Sequence, residues 1–346
     1  MNSINQVSFI FRLNLIIFLG ISPFLKQVIT LEKLYLSRPK SCLSKLSSIC
    51  ENNHLHFKLP ILSQLHNYLY RYRESLIAQN YPEVRQYLTE IVQKTYNNSL
   101  KEDETFFIYS QFEKGEISVL FSSRALIENI IKQCQHQPSF IHLDATYKLI
   151  DLGLPLFIVS TEDINHSFRP IAFFVSWSES TSQVTILLQK LSQFLLENFE
   201  FQFKPKYVLT DNSDALISGC QKAFAHEYIH LGCHFHLAKR IKEKSNSQEL
   251  KEKKIDLFFG VKALKNSPTL PFFKKTWEII KKYCEEKNVS KSFINIFENE
   301  YIKNRFRTNN SLESGNNVLK IFFQRKSQNI KVFFWKMKDF IREWSI

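Results

Sequence analysis

The sequence predicts an α/β fold, and three observations carry that prediction. From Ser139 onward the hydropathy pattern reads strand, strand, strand, helix, strand, helix, strand. Consecutive strands followed by strand–helix alternation define an α/β domain built on a mixed sheet. The chain of 346 residues is long enough for two or three structural units with packed cores. Its composition of 44% apolar and 23% charged residues, with only 7 Gly and 10 Pro, excludes disordered, fibrous and low-complexity classes.

The elements follow in chain order. Residues 9–26 (FIFRLNLIIFLGISPFLK) are apolar but broken by Arg12, Asn14 and Pro23. The run is too short for a membrane span and lacks the basic flank and small-residue cleavage site of a secretory signal. A buried or ill-formed N-terminal helix is expected there, with secretion as the alternative. Residues 27–60 read as irregular, punctuated by SRPKSCLSKLSS and ENN. From Ile61 to about Thr95, Leu62, Leu65, Leu69, Val84, Leu88 and Ile91 recur at helical spacing, with an interruption expected at Asn80-Tyr81-Pro82. Thr105–Ser110 and Ile117–Ser122 read as strands around a Glu-Lys-Gly turn, followed by a helix over 124–135. SFIHLDATYKL, LPLFIVSTED and RPIAFFVSW are the three consecutive strands, apolar enough for burial on both faces. A helix over 181–199, the strand KYVLTD, the helix DALISGCQKAF and the strand YIHLGC complete the series. Beyond His236 the pattern is helical and basic.

Charge is distributed unevenly. Residues 1–236 hold 21 basic and 21 acidic residues, whereas residues 237–346 hold 25 and 12, so the last third carries the whole net charge of +13. A basic region joined to a neutral one points to a polyanionic partner, nucleic acid before an anionic membrane surface. The six cysteines (Cys42, Cys50, Cys134, Cys220, Cys233, Cys284) form no CxxC pair and no dense framework, which fits reduced thiols.

Two aspartates stand where chemistry could reside. Asp144 closes the first strand of the series and Asp211 closes the fourth. If those strands are parallel neighbours, both carboxylates emerge at one sheet edge, where open α/β sheets bind ligands. Two hard oxygen donors there suit Mg²⁺ or Mn²⁺; either residue alone could equally cap the turn or helix that follows it. Glu313, in TNNSLESGNNVLK, fits the third helical position after an Asn310 cap. His226-Glu227-Tyr228-Ile229-His230 formally matches H-E-x-x-H. It falls on a strand, however, where positions four apart are separated by roughly 13 Å, so a zinc-protease site is not expected. Cys233-x-x-His236 supplies two ligand types, short of a structural zinc site. Phosphate-loop, dinucleotide and nucleophile-elbow motifs are absent from the sequence.

Taken together, HLDATYKL, YVLTDNSDAL, LGCHFHLAKRI and TNNSLESGNNVLK resemble, in order, the four blocks of the MULE domain, the catalytic core of Mutator-like element transposases. The resemblance runs from about Ser139 to Ile341. It implies a ribonuclease H-like mixed sheet with flanking helices, interrupted by a mostly helical insertion and preceded by a small helical region. The implied organisation is an apolar and irregular segment over 1–50, a helical region over 51–100 and the first part of the core over 101–236. A basic helical insertion over 237–307 and a C-terminal helical part of the core over 308–346 complete it. The implied catalytic and metal-holding triad is Asp144, Asp211 and Glu313, which would hold two Mg²⁺ or Mn²⁺ ions about 3.5–4 Å apart for in-line phosphoryl transfer on DNA. Cys233 and His236 would have a structural or DNA-positioning role, with Zn²⁺ as an open option. Lys239, Arg240, Lys242, Arg305 and Arg307 flank the blocks and are the expected phosphate contacts. The implied partners are double-stranded DNA (transposon ends and target) and a second copy of the chain, with no membrane, in the nucleus. Two other classes remain: a domesticated, non-catalytic DNA-binding regulator, and a ribonuclease H-like nuclease without transposition.

Overall fold

The computed structural model describes residues 21–32, 39–53, 58–113, 116–136, 139–163, 165, 167–211, 213–233, 236, 254–267, 269–289, 291, 294–295, 298, 306–307 and 310–345. Lys239, Arg240, Lys242 and Arg305 lie outside them, as do the side chains of Arg307 and Glu313.

Before the sheet, the chain forms helices α1 (Pro23–Leu31), α2 (Pro39–Asn52) and α3 (Leu62–Ile91). The irregular reading of residues 27–60 is therefore corrected. Leu25 and Ile29 on α1, with Cys42, Leu46 and Cys50 on α2, recur every four residues and bury against Leu65 and Leu69 of α3. Counting cysteine as the small apolar residue it is reveals this period. The expected break near Pro82 is also corrected, because α3 runs through it. Its first half packs in this N-terminal cluster, while Val84 and Leu88 of its second half pack in the main core. Burial at both ends holds the helix through the missing proline N–H.

Among the described residues the sheet has eight strands: β1 (Phe106–Glu113), β2 (Glu116–Ser122), β3 (Phe140–Thr146), β4 (Leu156–Glu162), β5 (Phe168–Ser176), β6 (Tyr207–Thr210), β7 (Ile229–Cys233) and the two-residue β8 (Phe306–Arg307). Their order is β1-β2-β5-β4-β3-β6-β7-β8. From β1 to β3 every pairing is antiparallel, and from β3 through β8 every pairing is parallel. The mixed sheet expected from the sequence is present, and within it the order β5-β4-β3-β6-β7, three antiparallel strands continued by two parallel ones, agrees with a ribonuclease H-like arrangement.

Alternation along the strands builds a core on each face. On one face Ile117, Val119, Phe121, Ile158, Phe173 and Val175 meet Leu319 of α9 (Asn310–Phe322), Phe323 in the turn after it, and Phe333, Phe334 and Phe340 of α10 (Ile330–Trp344). On the other, Leu120, Ile141, Leu143, Val159 and Phe174 meet α4 (Arg124–His136), α5 (Thr181–Phe199) and α6 (Asp214–Ala223). The strands thus read as near-continuous apolar runs because both faces are covered. Two close approaches set the layer spacing. A Cβ on Gly219 of α6 would lie 2.5 Å from Val184 Cβ of α5, and one on Gly315 of α9 would lie 2.6 Å from the Phe168 ring.

Between β7 and β8, α7 (Lys254–Lys265) and α8 (Leu270–Glu286) share a small separate core of Leu257, Leu264, Trp277, Cys284, Val289 and Ile294. None of the six cysteines is bridged by a disulfide. No helix among the described residues is long and apolar enough to cross a membrane.

Candidate metal centre at the strand ends

The site arises from the switch between antiparallel and parallel pairing. Strands β3, β6 and β7 run side by side in the same direction, so their carboxyl ends share one edge of the sheet. Asp144 sits near the end of β3, Asp211 is the residue after β6, and His236 lies three residues beyond β7. This is the edge at which open α/β sheets present ligand-binding groups.

Strand alternation aims Asp144. Ile141 and Leu143 point into the core formed with α5, so His142 and Asp144 point to the opposite face, where α9 lies. Asp144 is buried, 6% exposed. Its Oδ1 accepts from its neighbour's backbone, Ala145 N, at 2.8 Å, and its Oδ2 accepts from Asn316 Nδ2 on α9 at 2.8 Å. Asp211 is held differently. Its Oδ1 accepts from Ser213 N at 2.9 Å, and Ser213 then caps α6 by accepting from Leu216 N. The structural task of turning the chain into α6 uses one carboxylate oxygen.

One ligand atom from each of Asp144, Asp211 and His236 lies within 4.8 Å of the other two. Ligand atoms about 2.1 Å from one ion stand at most about 4.2 Å apart, so the cluster needs only sub-ångström tightening to share a cation. The donor set is also suitable: two hard oxygens and one imidazole nitrogen, the ligand types of divalent-metal centres.

The surroundings separate this edge from the apolar core. Oγ1 of Thr210, the last residue of β6, shares a hydrogen bond of 2.8 Å with Nε2 of His230, the second residue of β7. Burial pushes the His230 imidazole down to about 4, against the upward pull of the Asp211 carboxylate. His230 is therefore neutral near pH 7 and adds no positive charge beside Asp211. Tyr147, just after β3, donates its hydroxyl to Glu179. Lys148 follows with φ of 70°, in the left-handed region that non-glycine residues enter mostly at special turns.

Of the residues singled out from the sequence, the structure brings together Asp144, Asp211 and His236. Residue 313 is placed on α9, one turn before Asn316. Cys233 is not a member of the cluster: its thiol is 1% exposed and packs with Phe140, Leu209 and Leu231. His230 is on β7, and the formal H-E-x-x-H pattern is not helical. Asn316 was missed by sequence reasoning. It follows Glu313 by three positions in a helix, a spacing that puts two residues on one face and could have suggested it.

An α/β protein with two carboxylates at the carboxyl ends of adjacent parallel strands belongs, by fold and site, among those that can hold a divalent cation at a topological switch. Residues 140–240 match the family model of the MULE transposase domain. The matched segment begins with β3, ends shortly after His236 and covers just under a third of the chain. It therefore contains all three members of the cluster. Curated proteins offered no match to this chain.

Proposed function

We propose that this chain is a Mutator-like DNA transposase, or a remnant of one, that cuts and joins DNA by metal-dependent phosphoryl transfer. The observation that carries the reading is the convergence of Asp144 and Asp211 at one sheet edge, inside the segment similar to the MULE transposase domain. Asp144, Asp211 and Glu313 would hold the divalent ions. When bound, such ions polarise the scissile phosphodiester, activate the attacking oxygen and stabilise the leaving one.

The chain's own residues do the positioning. The Asn316 amide and the Ala145 N–H each hold one oxygen of Asp144, fixing its rotamer at the buried end of β3. Ser213 N–H fixes one oxygen of Asp211. Helix α9 bears on β3 and β5, so residue 313 is carried on the same element that holds Asp144. The Lys- and Arg-rich last third of the chain supplies phosphate contacts, which makes DNA affinity fall steeply with salt. Lys239, Arg240, Lys242, Arg305 and Arg307 are the first residues to test for it.

The test is Mg²⁺- or Mn²⁺-dependent nicking and strand transfer on DNA, comparing wild type with Asp211→Ala. The reading expects activity in the wild type, loss of at least two orders of magnitude in the variant, and salt-sensitive DNA binding in both. DNA binding without metal-dependent cleavage in the wild type would instead support a domesticated DNA-binding regulator. Cleavage without strand transfer would support a ribonuclease H-like nuclease.

A further inference from the structure

We infer that His236 joins Asp144 and Asp211 as a direct metal ligand, giving the centre a mixed oxygen–nitrogen donor set that favours a divalent transition ion over Mg²⁺. The inference rests on the reading of Asp144 and Asp211 as cation-holding residues. It moves His236 from a structural or DNA-positioning role into the centre itself.

Geometry is the first ground. His236 offers a ring nitrogen within 4.8 Å of a carboxylate oxygen of both aspartates, and it reaches them because β7 runs parallel to β6 and ends at the same edge. The second ground is independent. Asn316 is 4% exposed, its Nδ2 donates to Asp144 Oδ2, and its Oδ1 accepts no hydrogen bond among the described residues. Leaving a buried amide oxygen without a donor is unfavourable. This oxygen belongs to a carboxamide already touching the cluster, where a hydrated cation would supply the missing donor. The selectivity follows from ligand chemistry. Carboxylates alone suit Mg²⁺, whereas an imidazole shifts preference along the transition series, where Mn²⁺ is the weakest binder and Zn²⁺ is far stronger.

Mn²⁺ is the probe, because it is paramagnetic and accepts both ligand types. The full chain is titrated with Mn²⁺ and followed by electron paramagnetic resonance, with pulsed measurement of nitrogen coupling. Protein labelled with ¹⁵N-histidine identifies the nitrogen as imidazole without any substitution. His236→Ala and His236→Gln are measured in parallel, with circular dichroism to check folding, and Asp211→Asn serves as the carboxylate control. The expected result is a histidine nitrogen coupling in the wild type, absent in both His236 variants. Their Mn²⁺ affinity should fall by about tenfold or more, a loss larger than that for Mg²⁺. Mn²⁺ binding that is lost in Asp211→Asn but shows no histidine coupling would overturn the role of His236 and leave the carboxylate reading standing. Coupling that persists in folded His236 variants would assign the nitrogen to another histidine and overturn the inference. No Mn²⁺ binding to the wild type would overturn both.

Discussion

The two halves of the sheet are built for different work. The antiparallel half, β1-β2-β5-β4-β3, is long-stranded and packed on both faces by phenylalanine and branched aliphatic side chains. The parallel half, β6, β7 and β8, has strands of four, five and two residues. It carries Thr210, His230 and the turn at Asp211; its Leu209, Leu231 and Cys233 form a small cluster with Phe140 of β3, while Val208 joins the larger core. The large buried cores lie in the first half, and Asp144, Asp211 and His236 cluster at its boundary with the second. Asp144 stands on the last strand of one and faces the first turn of the other. Such a division lets a rigid scaffold hold polar groups whose mutual repulsion it must overcome.

The contrast can be tested first where the effect should be largest. Phe173 of β5 is fully buried, stacks on Phe121 with ring centroids 5.8 Å apart and meets Phe340 edge-on. Phe173→Ala should lower unfolding free energy by about 3–5 kcal/mol in urea titrations. The fraction that remains folded should keep its metal affinity. A loss of affinity equal to the loss of stability would merge the two halves into one functional unit.

Gly315→Ala probes the link between them. The added Cβ would meet the Phe168 ring at 2.6 Å, so the ring or α9 itself must move. We expect a loss of about 2–3 kcal/mol by overpacking, together with weaker Mn²⁺ binding, because Asn316 and residue 313 ride on the same helix. Unchanged metal affinity in a destabilised Gly315→Ala protein would separate α9 from the centre.

The smallest effect belongs to His230. Its imidazole is held near 4 when folded, below the ordinary value of about 6.5. Between those values the unfolded chain binds more protons than the folded one, so stability is complete above about pH 6.5 and declines as pH falls toward 4. Because the residue is only partly buried, the decline attributable to it should be about 1–2 kcal/mol. His230→Gln should flatten the stability profile over that window relative to wild type, as measured by urea denaturation at pH 7, 5 and 4. Parallel profiles would remove His230 as a titrating group.

Much of this architecture is legible in the sequence, for physical reasons that differ by element. Helix α5 falls on Thr181–Phe199 as expected, because its apolar face is periodic and uninterrupted. Strands β4 and β5 are legible because burial on both faces leaves near-continuous apolar runs, and β3, β6 and β7 as shorter β-branched and aromatic stretches. Asp144 and Asp211 are legible as strand-end carboxylates; their convergence depends on β3 pairing with β6 across sixty-odd residues, which no local pattern encodes. Helix α2 was hidden by its serines and cysteines, which mask a four-residue apolar period, and most of α1 fell in a stretch without polar periodicity. The continuity of α3 was hidden by Pro82, whose local cost is outweighed by burial on either side. Asn316 was invisible because its partner Asp144 is 172 positions away. His236 was visible as a residue type, but its approach to the aspartates follows from the direction of β7, a tertiary fact.

The central claim is that Asp144 and Asp211 share one cation at the carboxyl ends of parallel strands. Iron-mediated cleavage of the polypeptide tests it most directly. Fe²⁺ replaces the native ion, ascorbate and peroxide generate hydroxyl radicals at the bound metal, and mass spectrometry locates the cuts. The account predicts cuts clustered near residues 144, 211 and 236, suppressed by excess Mn²⁺ and abolished in Asp211→Asn. Cuts elsewhere in the chain, or an unchanged pattern in Asp211→Asn, would contradict it.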